Sequence, residues 1–185
     1  MSNITKIALA NSLKKLLQVK TLDKITVKDI VEDCGVNRQT FYYHFHDIYD
    51  LLGWFFIQEG EKVIGNKKTY TTWQQGFLQA FQYVNKDKKF IINAYNSIGR
   101  DHLEKYLYII VFELLKNVVE EKAVGIKVSE ENKKFVADFY KYAFVGLSLE
   151  WIRTGMKENP EAIIEKLSTL IKGDIELSLK KLEEK

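Results

Sequence analysis

The stretch from Thr26 to Leu52 constrains the fold of this 185-residue chain more than any other segment. It has the pattern of two short amphipathic helices on either side of Gly35, followed by the start of a third helix. Thr26 and Asp29 have the spacing of a capping box, and Gly35 suits the left-handed position that ends a helix. Asn37 is a preferred N-cap for the next helix. Short helices joined by such a tight turn predict a helix-turn-helix.

The second helix of this motif has one apolar side and one side rich in groups that bind nucleic acids. Phe41 and Phe45 are four residues apart, so both face the core. Arg38 and Gln39 can each form two hydrogen bonds with one base edge, Arg with guanine and Gln with adenine. Other side chains supply donors of the kind that hold phosphates, namely Thr40, Tyr42, Tyr43 and His44. A purely structural hairpin shares the glycine turn and the apolar faces, and the run of exposed aromatic groups favours DNA binding over it.

The run D-I-V-E-D-C-G-V-N-R-Q-T-F-Y-Y-H-F, residues 29–45, resembles the DNA-binding signature of the TetR family of bacterial transcription regulators. The spacing of the family pattern matches without a gap. The resemblance implies DNA contacts from Lys28, Asn37, Arg38, Gln39, Thr40, Tyr42, Tyr43 and His44, and we add Thr26 at the start of the first helix. The family usually has a phosphate-binding lysine at the start of the following helix. This chain has Ile48 there, so the side-chain contact is in doubt, although backbone N–H groups can still hold a phosphate at a helix N-terminus.

The rest of the chain has the apolar spacing of helices, and its single Pro and ten Gly favour long ones. We predict an all-α fold of about nine helices. Residues 1–50 form a three-helix DNA-binding domain, and residues 51–185 form a helical dimerisation and effector domain. Thr71 and Gln74 have the spacing of a cap for the helix that follows them. The last two helices, which we expect to begin after Ser129 and at Pro160, have wide apolar faces. The first places Phe135, Phe139, Tyr140 and Trp151 on one face, and the second carries apolar residues from Ile163 to Leu182 without a break. Two such helices from each subunit would form a four-helix interface, and the resemblance implies the same homodimer.

The distribution of charge agrees with a DNA-binding N-terminus. The chain has a net charge of +3, and residues 1–46 hold seven basic and four acidic residues, so the remainder is neutral. This small excess predicts that a dimer is needed to supply two sets of phosphate contacts. The longest apolar block, residues 51–57, is too short to span a bilayer, and the start lacks a signal-peptide pattern. We therefore expect a cytoplasmic protein with no membrane partner.

Catalytic and metal-binding patterns are missing from the sequence. His44 and His46 are two residues apart and point to different sides of a helix, so they cannot share a metal. The single Cys34 allows no internal disulfide, and no zinc-protease or nucleotide-binding motif occurs. We predict a protein that is not an enzyme and that has no metal and no cofactor. The alternative to a regulator is a helical protein-interaction module that has lost DNA binding.

Aromatic residues in the second part of the chain are candidates for an effector pocket. Four of them could line an apolar pocket with polar anchors, namely Trp54, Tyr95, Tyr106 and Tyr140. Simple core packing accounts for each of them equally well, and a protein co-regulator could replace a small-molecule effector. Residues 87–107 are also similar to a subgroup that includes regulators of dihydroxyacetone kinase operons.

Overall fold

The computed structural model describes residues 2–98 and 100–184, and within those residues it contains helices and no strand. The predicted all-α fold is confirmed. Ten α-helical segments and one short 3-10 helix (Leu22–Lys24) are described. The segments are α1 (Ser2–Leu17), α2 (Val27–Cys34), α3 (Arg38–His44), α4 (Ile48–Ile64), α5 (Trp73–Lys86), α6 (Lys88–Ile98), α7 (Arg100–Ala123), α8 (Glu130–Arg153), α9 (Pro160–Ile171) and α10 (Asp174–Lys181).

The turn signals around α2 and α3 act as the sequence predicts. The Thr26 side chain accepts a hydrogen bond from the Asp29 amide, and the Asp29 carboxylate accepts one from the Thr26 amide, which completes the capping box. Gly35 ends α2 with a φ of 71°, a left-handed conformation that costs glycine little because it has no Cβ atom. Asn37 caps α3 by accepting from the Thr40 amide. These local bonds fix the angle at which α3 leaves α2.

The helices form two compact units. The first contains Met1–Glu59 and Asp87–Tyr106, and the second contains Gly60–Lys86 and Leu107–Lys185. In the first unit, α6 packs against α1 and the 3-10 helix. The Asn93 amide group donates to the Leu17 carbonyl at 2.8 Å, and the Lys14 ammonium lies 2.5 Å from the Asp87 carboxylate. The helix-turn-helix is therefore built into a larger unit than its own three helices, and a functional boundary near residue 50 stays a prediction.

The second unit is held together by aromatic side chains from α5 and α8. The Phe77 and Phe144 rings lie 4.4 Å apart between centroids, and Trp73 packs edge-on against Phe144 at 5.5 Å. The Trp151 ring lies 4.7 Å from that of Phe81. Such pairs add about 0.5–1.5 kcal/mol each beyond the area they bury, so they fix α5 firmly against α8.

Three expectations for the second unit were wrong. The helix that begins at Pro160 does not run unbroken to Leu182, because Gly173 adopts a φ of 85° and separates α9 from α10. Thr71 and Gln74 do not form a cap, because α5 begins at Trp73 and the Gln74 side chain bonds to Ser168 instead.

The third concerns α8, in which the sequence placed Phe135, Phe139, Tyr140 and Trp151 on one face. The structure buries Tyr140 and Trp151 and leaves Phe135 and Phe139 exposed.

No helix among residues 2–98 and 100–184 is long and apolar enough to cross a membrane.

Candidate DNA-binding interface

Helix α3 divides sharply into a buried side and an exposed side. Phe41 is 0% exposed and Phe45 is 3% exposed, whereas Tyr42 is 59% and Tyr43 is 81% exposed. The Phe41 and Phe45 rings lie 6.1 Å apart and anchor the helix to the unit. Tyrosines this exposed bury little of their ring area in the protein core, so the outer side of α3 suits contact with another molecule.

Helix α2, against which α3 packs, is itself held against α1 by a buried hydrogen bond. The buried Ser12 hydroxyl of α1 donates to the Ile30 carbonyl at 3.0 Å, and Ile30 itself is 0% exposed. A buried hydroxyl that satisfies a backbone carbonyl specifies how α1 and α2 are aligned, because misalignment leaves both groups unpaired. The sequence did not indicate this contact, since Ser12 belongs to an otherwise ordinary helical stretch.

The polar ends of the two residues predicted to read bases have no partner among the described protein groups. Arg38 and Gln39 are both exposed in the first turn of α3. Within the part of the chain that the structure describes, neither forms a hydrogen bond or an ion pair with another protein group. Their guanidinium and amide groups are therefore available to a base edge, and the N-terminal turn of α3 is the position from which a recognition helix reads the major groove.

The next residues of α3 offer further donors. Tyr43 packs edge-on against His44 at 4.9 Å between ring centroids, and Tyr42 packs edge-on against Phe41 at 5.5 Å. His44 is half-buried, and both tyrosines present their rings to solvent. Ring packing restricts the side chains while leaving the phenol groups free to donate to phosphates.

Two other residues predicted to contact DNA, Thr26 and Asn37, already use their side chains to cap helices. The Asn37 side-chain oxygen accepts from the Thr40 amide at 2.7 Å and from the Thr40 hydroxyl at 2.9 Å. The Thr26 hydroxyl donates to Asp29 at 2.6 Å and accepts from the Asp29 amide at 3.2 Å. Asn37 therefore cannot use its oxygen and its NH2 group together on one adenine. These residues orient the helices, and Thr40 keeps a methyl group and hydroxyl lone pairs for DNA.

Acidic residues of α2 are neutralised by neighbouring lysines. The Lys28 ammonium lies 3.7 Å from Glu32, the Lys20 ammonium lies 3.8 Å from Asp29, and Lys15 pairs with Asp33. The Lys28 and Glu32 pair has the i, i+4 spacing that the sequence already contained. Both side chains are exposed, so the pair is weak and Lys28 can leave Glu32 for a phosphate at small cost.

The start of α4 carries two carboxylates on either side of Ile48, the residue that stands at the predicted position of a phosphate-binding lysine. The Asp50 amide donates to Asp47 at 2.8 Å, and the His46 amide donates to Asp50 at 3.0 Å. Desolvation raises the pKa of Asp47, but hydrogen bonds from the amides of Asp50 and Tyr49 and from His46 outweigh it and lower the pKa overall. These charges weaken the pull of the α4 N-terminus on a phosphate, and Ile48 is half-buried.

The four aromatic ligand candidates are not gathered in one place by the contacts within each unit. Trp54 packs 5.8 Å from Phe45, and the Tyr106 hydroxyl donates to the Tyr49 carbonyl at 3.0 Å. These two and the half-buried Tyr95 belong to the first unit, whereas the buried Tyr140 belongs to the second. A ligand role for them stays a prediction.

No group of three or more His, Cys, Asp or Glu side chains is placed to hold a metal ion among the residues that the structure describes. Cys34 is half-buried, and burial raises the pKa of its thiol, so its sulfur is a poor nucleophile and a poor metal ligand. The chemistry available at α3 is that of hydrogen bonding and charge rather than bond making.

Comparison with known proteins assigns the chain to a family. Residues 12–53 match the family model of bacterial regulatory proteins of the tetR family, and residues 71–173 match a model of a transcriptional regulator C-terminal region. A relative from Lactococcus lactis subsp. lactis (strain IL1403), the HTH-type dhaKLM operon transcriptional activator DhaS, is 27% identical over 156 residues. That match covers 83% of this chain and 82% of DhaS.

Solved structures share the fold. A dihydroxyacetone kinase operon activator DhaS superposes with a TM-score of 0.69 at 24% identity, over 98% of this chain and 99% of that one. A TetR transcriptional regulator from Streptococcus agalactiae 2603V has a TM-score of 0.56 at 19% identity, over 99% and 96% of the two chains. The NalD repressor from Pseudomonas aeruginosa has a TM-score of 0.57 at 16% identity, over 92% and 96%. The chain is not an enzyme: it belongs to the TetR family of bacterial transcription regulators.

Proposed function

We propose that this protein is a homodimeric, cytoplasmic regulator that binds a palindromic DNA operator through α3. The observation that carries the proposal is the contrast within that helix. Its inner side is anchored by Phe41 and Phe45, and its outer side presents Arg38 and Gln39 with no protein partner among the described residues. Side chains with two-pronged hydrogen-bonding ends, held on a rigid helix, suit direct readout of base edges.

Within this interface the residues divide by role. Arg38 and Gln39 read bases, and Tyr42, Tyr43, His44 and Lys28 hold the phosphates on either side. Thr26 and Asn37 set the direction of α2 and α3, and they contact the backbone of the DNA through groups that capping leaves free. Phosphate contacts fix the register of a helix in the groove, whereas base contacts carry the sequence preference.

An exposed apolar stripe on α8 supports the dimer. Phe135 is 66% exposed, Phe139 is 63%, Tyr142 is 55% and Leu147 is 47% exposed. Phe135, Phe139 and Tyr142 are spaced by four and three residues, as on one helix face, and the exposed Ala143, Gly146 and Leu147 extend that surface. A large aromatic stripe left open to water marks a protein interface, and small residues at its centre allow a second helix to approach closely.

The last helices add to that surface. Leu170 of α9 is 69% exposed and Leu177 of α10 is 49% exposed. Two copies of α8 with two copies of the α9–α10 segment would form a four-helix interface with twofold symmetry. Such a dimer presents two α3 helices to successive major grooves, which requires an inverted repeat in the DNA.

The second unit is the natural place for control of DNA affinity. A small molecule or a protein co-regulator that binds one conformation of the dimer better than another shifts the population between DNA-competent and incompetent spacings of the two heads. The relative DhaS is an operon activator and NalD is a repressor, so we propose regulation without assigning its sign.

DNA binding is tested with electrophoretic mobility shifts on the wild type, Arg38→Ala and Arg38→Lys. Removing the guanidinium costs about 1–3 kcal/mol of preference for the cognate base pair. Arg38→Lys keeps the positive charge but loses the pair of parallel N–H donors of the guanidinium. It should therefore retain its affinity for random DNA and lose its preference for the cognate sequence. Lys157→Ala, which removes a positive charge from the exposed loop after α8, is the control. Equal losses on cognate and random DNA for Arg38→Lys would contradict the role.

Dimerisation is tested by sedimentation on Phe139→Lys. Placing a charge in the centre of the stripe should yield monomers, because an unpaired buried charge costs several kcal/mol. Val124→Lys is the matched control, since Val124 is 82% exposed in the loop after α7 and lies off the stripe. A Phe139→Lys protein that remains dimeric would show that the pairing surface lies elsewhere.

The mobility-shift experiment also separates the two candidate functions. A wild-type protein that binds no DNA would favour the alternative, a helical protein-interaction module that has lost DNA binding.

A further inference from the structure

A cleft in the second unit lies between the start of α5 and the end of α9. Its volume is about 320 Å³, and its lining residues are Tyr70, Thr71, Trp73, Gln74, Ser168, Ile171 and Lys172. Pockets for small molecules range from about 300 to 1,000 Å³, so this one suits a small metabolite rather than a large drug-like compound. It contains none of the four aromatic residues that the sequence proposed for ligand binding.

The apolar part of the cleft is held in place by contacts outside it. Trp73 is 2% exposed and is fixed by its edge-on packing against Phe144. The Tyr70 amide donates to the Glu121 carboxylate at 2.8 Å, and the Lys122 ammonium lies 3.6 Å from the centre of the Tyr70 ring. Two aromatic side chains are therefore held before any ligand arrives, which reduces the entropic cost of binding.

The polar part of the cleft has unused hydrogen-bonding capacity. The Gln74 amide group donates to the Ser168 hydroxyl at 3.4 Å, which is long for a hydrogen bond and correspondingly weak. The Gln74 carbonyl oxygen and the Ser168 hydroxyl hydrogen have no other partner among residues 2–98 and 100–184. A ligand hydroxyl or amide placed between them would replace one weak bond with two better ones.

The charge at the cleft is set by Lys172. Its side chain is exposed, and within the described residues it forms no ion pair. The neighbouring Lys122 is already committed, because its ammonium lies 3.8 Å from Glu176 and covers the Tyr70 ring. Lys172 is therefore the positive group that remains available to a ligand.

We propose that this cleft binds a small organic anion. The ligand has a planar or apolar body that rests against the half-buried Tyr70 and the small exposed edges of Trp73 and Ile171. It has a neutral polar group that bonds to Gln74 and Ser168, and a carboxylate or phosphate that pairs with Lys172. Binding at this cleft goes beyond the proposed function and does not require it. An effect of such a ligand on operator affinity would rest on the proposed function.

The proposal is tested by titration calorimetry of the 185-residue chain with three matched probes, namely 4-hydroxybenzoate, 4-hydroxyphenyl phosphate and the neutral 4-hydroxybenzamide. We expect at least one anion to bind about tenfold or more tightly than the amide, because hydrogen bonds to charged groups are stronger than neutral ones. The better of the two anions identifies the head group. Equal binding of anion and amide, or no binding of any probe at about 10 mM, would overturn the proposal.

Two cleft variants and one control variant locate the binding to this cleft. Lys172→Gln removes the exposed charge and should weaken the preferred anion by about fivefold to tenfold while leaving the thermal unfolding midpoint unchanged. Lys157→Gln removes the same charge elsewhere in the unit and should leave affinity unchanged. Gln74→Leu should weaken both charged and neutral probes. Anion affinity that is insensitive to Lys172→Gln, or equally sensitive to both lysine variants, would place the anion outside the cleft. The measurement uses no DNA, so its failure leaves the proposed function untouched.

Discussion

Asn37 offers the sharpest separation between positioning a recognition helix and reading DNA. Its side-chain oxygen accepts from the Thr40 amide at 2.7 Å and from the Thr40 hydroxyl at 2.9 Å, so it caps α3. Replacing an N-cap with alanine costs about 0.5–2 kcal/mol, typically about 1 kcal/mol. We therefore expect Asn37→Ala to lower the free energy of unfolding by about 1 kcal/mol. If the whole of that free energy must be supplied when DNA orders α3, DNA affinity falls by about fivefold on every sequence.

Asn37→Asp and Asn37→Ser separate the two roles. Aspartate caps as well as asparagine and adds a favourable charge at the helix N-terminus, so stability should match or exceed the wild type. That same charge faces the phosphates, so DNA affinity should fall further than for alanine. The slope of log K against log salt should also fall by about one unit per bound head. Serine restores the cap without the charge and should recover both properties.

The assays are urea unfolding and mobility shifts across a salt series, each on all four proteins. The reasoning would be refuted if Asn37→Asp were as unstable as Asn37→Ala, because the cap would then not depend on the side-chain oxygen. It would be refuted equally if Asn37→Ala kept full stability and lost preference between cognate and scrambled DNA. That outcome would make Asn37 a base-reading residue.

Two further predictions concern packing and pH. A Cβ atom at Gly53 would lie 2.2 Å from the Tyr106 ring, so Gly53→Ala should lower the melting temperature through a strain of about 1–3 kcal/mol. Gln58→Ala, at an exposed position of the same helix α4, is the control that should leave the melting temperature unchanged. The side-chain and backbone hydrogen bonds from Thr26 lower the pKa of Asp29 from the ordinary value of an aspartate. A carboxylate with a lowered pKa stabilises the fold above its unfolded pKa and loses that contribution as pH falls through the folded value. Thr26→Val should therefore raise the Asp29 pKa in an NMR titration and reduce the loss of stability between neutral pH and about pH 3; an unchanged titration would contradict the capping box.

The first unit was predictable from sequence because its signals are local. Thr26, Gly35 and Asn37 act within three or four residues of their own position, and each acts in the structure as the spacing predicted. What α6 packs against could not be read in this way. The contacts of Asn93 with Leu17 and of Lys14 with Asp87 join segments far apart in the chain, and no periodicity records them.

The second unit was less predictable because its outcome depends on competing faces. Helix α8 is apolar on two sides. The packing of Phe144 against Phe77 and of Trp151 against Phe81 turns the side that holds Tyr140 inward and leaves Phe139 in water. Gly173 is a single glycine in a long periodic run, where a helix can also continue at modest cost. The cleft was missed because Tyr70 and Lys172 come together only through the pairing of α5 with α9.

Selection of preferred sequences from a random pool of duplex DNA tests the central claim most directly. If α3 reads bases and α8 pairs two copies of the chain, the enriched sequences contain one short motif twice, as an inverted repeat at a fixed spacing near one helical turn. Enrichment of a single motif without its inverted copy would contradict the dimer. No enrichment at all would contradict the assignment of Arg38 and Gln39 as residues that read DNA.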